Sequence, residues 1–471
     1  MKNMTFSHYI TITGLVMATM TTACKKLVEI PPNPPTEITQ TQQFADSATT
    51  MTAMADIYSY PENGTNQFTF NNGELSLCTG LSSDELSVSN GAGDLLQFYE
   101  YGVTRFNDIL TFLWNGPYQG LYPVNAALSG IAASSGLSAS LKTQLTGELK
   151  VVRSLYNFDL VNLFGAAPLI TSIDYTATSK VGRTSVDSIY MQIMTDLTDA
   201  QQALTVTYPS SGHLRPNLYT VKAFLAKVYL YQKNWQAAYN AADTIINSGV
   251  YSLEPNLDNV FLDGSQEAIW QLPATGASSY SGVTREAENY IPSSSGTTPD
   301  YPMTSFLVNA FEAGDQRLQD WVGTVIVGTG SGNQTFYYPY KYKNRTSSGP
   351  TVEDFMIFRL GEQYLIHAEA AAELGNLGTA LSDLNTVRAR AGLAASTAST
   401  QDDLLIAIMH ERQVELFTEW GNRWLDLIRT GQVGTVLNAE KGGWQSYDAL
   451  YPLPNAQLEE NTLLTQNPGY N

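Results

Sequence analysis

The 471-residue chain is poor in cysteine, histidine and positive charge, and each shortage argues against a class of function. Its two cysteines, Cys24 and Cys78, lack the paired spacing of a metal site, and none of its four histidines belongs to a His-Glu-x-x-His motif. Lys and Arg number 25 against 44 Asp and Glu, which gives a formal net charge of −19. This balance argues against nucleic acid as a partner, because phosphate binding needs clusters of Lys and Arg.

Charged residues of either sign are also scarce. They make up 15% of the chain, whereas tyrosine alone occurs 27 times and 43% of the residues are hydrophobic. The polar surface must therefore be rich in neutral hydroxyl and amide groups. Together with exposed aromatic rings, such groups suit a neutral polyhydroxylated ligand, although tyrosine also fills helix cores. Gly-x-Ser-x-Gly and Walker-type motifs do not occur, so the sequence offers no assembled nucleophile and no metal site.

The apolar run at the N-terminus is too short to be a stable membrane anchor. It covers residues 9–20, whereas a span needs ~20 predominantly apolar residues. We interpret residues 1–23 as a secretory signal. Its last three residues are small and precede Cys24, as in a bacterial lipoprotein signal, in which that cysteine becomes the lipidated first residue. Thr21 stands where such signals usually carry Leu, and ordinary signal cleavage before an incidental cysteine is the alternative.

The remaining chain divides into a tether and a helical body. Residues 24–41 are polar and contain four prolines, so we expect an extended tether. Residues 42–471 are predicted to form one large domain. Hydrophobic residues recur with helical period in seven segments, which are 107–133, 141–163, 186–200, 217–247, 359–374, 377–391 and 402–428. Pro117 and Pro123 are expected to break the first segment, and the fourth is expected to break near Lys233.

Two irregular stretches lie between these helices. Residues 275–302 are rich in Ser, Gly, Thr and Pro, and residues 328–333 are Gly-rich and precede an aromatic run at 336–340. We predict loops or short strands in both places. An irregular stretch of nearly thirty residues is uncommon in a compact domain unless it has a function.

The helical segments contain a repeated spacing of small residues. Ala226, Tyr229, Ala238 and Ala242 have the same offsets as a second set, which is Ala368, Ala371, Ala380 and Leu384. In a tetratricopeptide unit, small residues at these offsets let two paired helices approach closely. The two sets are far apart in the sequence, so the repeat predicts helix pairs but not a simple solenoid.

Four ordered blocks of sequence resemble the SusD/RagB family of outer-membrane lipoproteins from Bacteroidetes. The first is Gly-Glu at 147–148 with Arg-Ser-Leu-Tyr-Asn-Phe-Asp-Leu-Val at 153–161, Phe-Gly at 164–165 and Pro-Leu at 168–169. The second is Ala-Glu-Ala at 368–370 with Asn385, Val-Arg at 387–388 and Arg-Ala-Gly at 390–392. The third is Glu-Arg at 411–412 with Glu-Leu at 415–416, Glu419, Gly421, Arg-Trp at 423–424 and Asp-Leu at 426–427. The fourth is Tyr-Pro-Leu-Pro at 451–454 with Gln-Asn-Pro-Gly-Tyr at 466–470.

This resemblance implies a fold and a role. The implied fold is mainly α, with tetratricopeptide-like helix pairs in an α-α superhelix, decorated with long loops and a few short strands. The implied role is capture of oligosaccharide or polysaccharide at the cell surface and delivery to a SusC-like TonB-dependent β-barrel transporter. The protein would be held at the outer membrane through lipidated Cys24. Such proteins are not enzymes and need no cofactor.

The resemblance also implies where ligand binds, in loop-rich parts at about residues 60–106 and 270–350. We take the candidate contacts from aromatic and polar residues in the segments 84–107 and 273–301. These candidates are Asp84, Phe98, Tyr99, Tyr101, Asn107, Tyr280, Arg285, Asn289, Tyr290 and Tyr301. No tryptophan falls in either segment, which keeps open a peptide or another non-sugar nutrient as the ligand.

The acidic residues near the C-terminus present a different alternative. Glu411 and Glu415 lie four residues apart on one predicted helix, so a surface glycosidase with this carboxylate pair is a third hypothesis. Arginines interleave with the acidic residues over 411–429, however, and charge-paired acids have lowered pKa values. We therefore interpret the run as a structural ion-pair network that joins helices.

Overall fold

The computed structural model describes residues 38–59, 73–89, 93–274, 282–328, 332–346 and 352–470. The predicted signal, Cys24, most of the predicted tether and Tyr280 lie outside these described residues. The last residues of the tether segment begin the first helix, which is capped by the Thr39 side chain.

Helices dominate the described residues. Those of the first half are α1 (Gln40–Gln43), α2 (Ser47–Ser59), α3 (Glu74–Ser82), α4 (Asp94–Tyr99), α5 (Asp108–Ala133), α6 (Ala139–Phe164), α7 (Tyr175–Thr178), α8 (Val186–Ala203), α9 (Leu218–Tyr231) and α10 (Trp235–Ile246). Those of the second half are α11 (Arg285–Tyr290), α12 (Ser305–Ala310), α13 (Gln316–Asp320), α14 (Leu360–Glu373), α15 (Leu377–Arg390), α16 (Gln401–Glu415), α17 (Asn422–Arg429), α18 (Val433–Glu440) and α19 (Asn455–Glu460). Among them, none is both long enough and apolar enough to cross a bilayer.

Two short antiparallel sheets accompany the helices. Strand β1 (Ala268–Pro273) pairs with β4 (Asp354–Arg359), and both are almost entirely buried. Strands β2 (Val322–Val327) and β3 (Gln334–Pro339) form a hairpin, with Val322 opposite Pro339. The second irregular stretch of the sequence thus forms the short strands that its composition predicts.

The repeated small residues form the predicted helix pairs. Helix α9 packs on α10, and α14 packs on α15. The small residues of both sets are buried, at 0% exposure for Ala226, Ala238, Ala368 and Ala380. The two pairs also pack on each other through α10 and α14, where the rings of Tyr239 and His367 lie 4.0 Å apart. The predicted fold is therefore confirmed, and pairs distant in sequence are neighbours in space.

The predicted break in α5 is wrong. This helix continues from Asp108 to Ala133 although it contains Pro117 and Pro123, each of which removes one intrahelical hydrogen bond. Close packing on α6 offsets this loss. Gly120 lies so near α6 that a Cβ atom there would come within 2.4 Å of the Tyr156 ring. Tertiary packing thus overrides the local preference of the two prolines.

The predicted single helix over residues 402–428 is also wrong, because the chain turns between α16 and α17. Thr418, Trp420 and Gly421 have positive φ values of 52°, 50° and 69° in this turn. Left-handed backbone is unfavourable for residues with a Cβ atom, so outside contacts must hold the turn. One such contact joins the indole N–H of Trp420 to the carbonyl oxygen of Met356 at 2.7 Å.

Glu415, the last residue of α16, is the centre of a buried ion-pair network. Its carboxylate accepts hydrogen bonds from Arg317 at 2.9 Å, from Arg359 at 2.6 Å and from Arg390. The side chains of Glu415 and Arg317 are both 0% exposed. The three arginines belong to α13, to the end of β4 and to the end of α15. One carboxylate therefore joins three separate elements to α16.

Further acidic residues complete this network. Arg317 contacts Glu411 at 2.6 Å, Arg359 contacts Glu419 at 2.8 Å, and Arg390 contacts Glu267 at 2.7 Å. Nearby pairs have the same character, and these are Arg412 with Asp426, Arg423 with Asp84 and Arg429 with Glu369. The interpretation of the 411–429 run as a structural ion-pair network is confirmed.

The pKa values of Glu415 and Glu411 are shifted in opposite directions. Burial alone would raise the pKa of Glu415, but Arg390, Arg359 and Arg317 together hold it well below its usual range. Burial raises the pKa of Glu411, and its contact with Arg317 only partly opposes this. The expectation that the paired acids of this run all have lowered pKa values is therefore wrong for Glu411.

Glu415→Gln should destabilise the protein by about 3–5 kcal/mol, because it leaves buried guanidinium groups without their shared carboxylate. Urea unfolding followed by circular dichroism measures the loss. Asp199→Asn is a matched control, since it removes the carboxylate of the partly exposed Lys150–Asp199 pair and should cost less than about 1 kcal/mol. Equal losses in the two variants would contradict a central role for Glu415.

Acid should reduce the stability difference between the wild-type protein and the Glu415→Gln variant. The folded-state pKa of Glu415 is lowered, so the unfolded chain takes up the proton first as the pH falls. The stabilisation is complete above the unfolded pKa of about 4.3 and is lost as the pH falls through the folded pKa. Urea midpoints measured from about pH 6 to about pH 3 test this linkage, and a difference that grows toward acid would refute it.

Candidate ligand-binding face

The two loop segments that the sequence singles out lie side by side. Residues 84–89 run antiparallel to residues 300–304. The Ser87 amide donates to Pro302 at 2.9 Å, the Thr304 amide donates to Glu85 at 2.9 Å, and a β-bridge joins Leu86 to Met303. We call residues 83–107 together with residues 282–304 the loop face. Helix α3 connects its parts, because it packs on α4 and on α11.

Two polar candidates in the loop face have structural roles. Asp84 is fully buried, where it accepts hydrogen bonds from Arg423 at 2.6 and 2.8 Å and from Gln413 at 3.0 Å. Asn107 is also buried and caps α5, because its side chain accepts from the Leu110 amide at 2.9 Å. Their polar atoms serve the fold in this structure, and contact of these residues with ligand stays a prediction.

Three further candidates are also inside the molecule. Phe98 is 0% exposed and packs edge-to-face on Tyr451 with ring centroids 5.2 Å apart. Tyr290 is 2% exposed, and Arg285 is 8% exposed and bonded to Glu288 at 2.6 Å. All three side chains pack inside the protein in this structure, and their contact with ligand stays a prediction. The aromatic and polar character of a loop does not distinguish a ligand contact from loop packing.

The remaining described candidates keep part of their surface accessible. Tyr99, Tyr101, Asn289 and Tyr301 are each half-buried. Burial raises the pKa of Tyr301 to about 12, so its phenol is a neutral hydrogen-bonding group at physiological pH. Tyr280 lies outside the described residues. The structure thus leaves four described candidates in a position to meet a ligand.

A lysine that the sequence analysis missed positions two of these tyrosines. The ammonium of Lys441 lies 4.4 Å from the ring centroid of Tyr99 and 4.6 Å from that of Tyr101. It also donates hydrogen bonds at 2.7 Å to the carbonyl oxygens of Leu81 and Ser83 at the end of α3. Nothing near Lys441 in the sequence signals this role, because its partners are more than 330 residues away.

The surroundings of Lys441 are unusual for a surface lysine. Burial lowers its pKa to about 7, although Asp84 and Glu440 oppose this shift. Tyr101 has a left-handed backbone with φ of 57°, which orients its side chain away from the path of a regular helix. The contact with Lys441 restrains both rings, and the left-handed backbone further restrains Tyr101.

The β2–β3 hairpin extends the aromatic surface next to the loop face. The Met303 amide donates to the carbonyl oxygen of Tyr337 in β3 at 2.8 Å. Tyr338 covers Gly323 of β2, and its ring lies 5.8 Å from that of Tyr340. These tyrosines are half-buried and were not among the candidates. The aromatic run after the Gly-rich stretch was the signal that could have identified them.

The proposed glycosidase pair does not face a cleft. Glu411 and Glu415 both contact the same guanidinium nitrogen of Arg317, at 2.6 and 2.9 Å, and both side chains are 0% exposed. A glycosidase needs two carboxyl groups on opposite sides of a bound sugar. The hypothesis that this pair is catalytic is therefore wrong.

Comparison with known families covers nearly all of the described chain. A family profile described as the SusD family matches residues 178–470. A second profile, described as "Starch-binding associating with outer membrane", matches residues 34–230. The first match alone extends over more than half of the 471 residues.

Individual relatives agree with the profiles. SusD-like protein P25 of Formosa agariphila is 27% identical over 415 residues, covering 76% of this chain and 78% of the relative. A SusD superfamily crystal structure from Bacteroides vulgatus has a TM-score of 0.78 at 20% identity, covering 91% of this chain and all of that one. A structure described as a laminarin-binding SusD-like protein has a TM-score of 0.72 at 24% identity, covering 90% of this chain and all of that one. The chain belongs to the SusD family.

Proposed function

We propose that this protein binds oligosaccharide at its loop face and delivers it to a SusC-like TonB-dependent β-barrel in the outer membrane. The observation that carries the proposal is that Tyr99, Tyr101 and Tyr301 are all positioned by one short segment, residues 83–87. A family profile named for starch binding and a similar structure named for laminarin binding support sugar as the ligand class.

The segment between Ser83 and Ser87 brings the tyrosines together. Lys441, which contacts both Tyr99 and Tyr101, donates to the Ser83 carbonyl oxygen. The Ser87 amide donates to Pro302, the residue after Tyr301. Four residues of extended chain span at most about 14 Å, so the two groups of tyrosines are held by points of the chain that lie at most this far apart.

The chemistry of this surface suits a neutral sugar. The apolar C–H face of a sugar ring packs on an aromatic ring, and its hydroxyl groups need donors and acceptors nearby. Tyr99 and Tyr301 are half-buried and carry phenol hydroxyl groups that can donate or accept such bonds, whereas Tyr101 Oη is buried, so that Tyr101 would contribute its ring. The Asn289 amide and Tyr280 complete the proposed contacts.

The role is binding without chemical conversion of the sugar. The only carboxylate pair that the sequence suggested for hydrolysis is bound by Arg317 inside the protein. Delivery then needs only that the bound sugar be released to the neighbouring transporter. Lipidation of Cys24, followed by the Pro-rich tether, would hold the loop face close to the membrane surface without a spanning helix.

Tyr101→Ala and Tyr301→Ala should each weaken oligosaccharide binding about tenfold or more, because each removes a ring from the shared surface. Isothermal titration of the wild-type protein against a panel of soluble glycans, including laminarin and starch fragments, first identifies a short ligand. Tyr122→Ala is the control, since Tyr122 is 64% exposed on α5 and lies about 21 Å along that helix from its start.

Two results would contradict this assignment. A wild-type protein that binds peptides but none of the glycans would favour the alternative nutrient class. Tyrosine variants that bind the short ligand as well as the Tyr122→Ala control would place the sugar elsewhere.

Cys24→Ala should move the protein from the outer-membrane fraction to the soluble fraction, because it removes the acylated thiol. Cys78→Ala is the matched control, since Cys78 is buried and should not affect membrane attachment. Affinity purification from detergent-solubilised outer membranes should recover a TonB-dependent barrel with the wild-type protein. Retention of Cys24→Ala in the membrane would refute lipid anchoring, and absence of a barrel would refute delivery.

A further inference from the structure

A groove of about 270 Å³ lies outside the loop face, between α5, α7 and α19. Its floor includes Trp114 and Tyr118 of α5, and Tyr118 donates to the Pro168 carbonyl oxygen at 3.0 Å. Tyr175 of α7 stands at its edge and is 79% exposed. A tyrosine this exposed contributes little to folding, so its ring is free to contact a ligand.

The groove combines apolar and polar side chains and is almost without charge. Among the described lining residues, Asn115, Gln457 and Asn461 carry amides, Ser179 carries a hydroxyl, and only Glu460 has a charge. An exposed aromatic ring beside amide and hydroxyl groups is the combination that packs on a sugar ring and bonds to its hydroxyls. A polyanion is disfavoured, because the lining offers no cation and the chain has a net charge of −19.

A backbone contact links the loop face to the helix that borders the groove. Phe106, which is 66% exposed, follows the Tyr101 loop, and the guanidinium of Arg105 covers its ring at 5.0 Å. The Arg105 carbonyl oxygen accepts from the amide of Asn455, the first residue of α19, at 2.8 Å. From there α19 leads to the groove, and Glu460 lies about 7.5 Å further along that helix. Phe106 thus supplies one exposed aromatic ring near the point where the loop face contacts α19.

A second, larger groove does not combine an exposed aromatic ring with amide and hydroxyl groups. It has a volume of about 410 Å³ and is lined by residues of α6 and by the segment after α8. Its aromatic side chain is Tyr208, which is half-buried and whose hydroxyl bonds to Tyr251 and donates to the Ile269 carbonyl oxygen. His213 stacks on the Tyr208 ring with centroids 3.9 Å apart, which covers one face of that ring.

We propose that the groove beside Tyr175 is a second sugar-binding subsite, which holds a further part of a neutral polysaccharide whose other part occupies the loop face. This inference rests on the proposed function, because it assumes a glycan ligand. The second subsite would let the protein select glycans by their length. A short oligosaccharide would fill the loop face alone, whereas a long chain would continue past Phe106 into the groove.

Tyr175→Ala should weaken binding of a long polysaccharide about fivefold or more while changing the affinity for its trisaccharide less than about twofold. The probes are laminarin, or the glycan of the panel that the wild-type protein binds most tightly, and the matching trisaccharide. Tyr175→Phe should retain polysaccharide binding, because it keeps the ring. Ile406→Ala is the control for loss of an exposed apolar side chain, since Ile406 is 70% exposed on α16.

The outcomes separate this inference from the proposed function. A wild-type protein that binds no glycan overturns both. If Tyr175→Ala binds the polysaccharide normally while Tyr101→Ala binds it weakly, the second subsite alone is overturned. Equal weakening of polysaccharide and trisaccharide by Tyr175→Ala also overturns it, because the trisaccharide would then reach Tyr175. Selective weakening of the polysaccharide, rescued in Tyr175→Phe, supports it.

Discussion

The carboxylate of Glu415, shared by three buried guanidinium groups, is the interaction on which the arrangement of this protein depends. Glu415 is the last residue of α16, and the turn over residues 416–421 follows it directly. That turn contacts the base of the loop face, because the Thr418 amide donates to Glu85 and the Trp420 amide donates to Ser76. Removing the carboxylate would therefore affect both the packing of the scaffold and the segment that joins the proposed sugar contacts.

The same turn shows where sequence analysis succeeds and where it fails. The helix pairs could be predicted, because small residues at fixed offsets, such as Ala226 and Ala238, follow from the distance between packed helices. The turn could not, since residues 402–428 have helical periodicity, and the left-handed backbone of Thr418 and Trp420 is held by partners far away in the chain. Likewise, the packing of Gly120 against α6 that keeps α5 continuous through Pro117 has no local signal.

The candidate site was predictable as a region more than as a set of residues. The family resemblance, together with the irregular composition of residues 275–302, indicated the two segments that meet along residues 84–89 and 300–304. Short polar residues such as Asp84 and Asn107 have structural roles that their sequence does not reveal, because pairing with an arginine, capping a helix and binding a ligand require the same side chains. Lys441 could not be found at all, since its function depends on a tertiary contact with Tyr99 and Tyr101.

A single rigid element determines how the loop face and the groove could act together. Helix α5 begins beside the Tyr101 loop, where Asn107 caps it, and reaches the groove at Asn115. Its rise fixes these two points about 12 Å apart. A polysaccharide held at one end would find the second subsite at high effective concentration without ordering a flexible segment. Two weak contacts, held at a fixed distance by one helix, would then favour the capture of long chains. Each contact alone stays weak enough to release the sugar to a transporter.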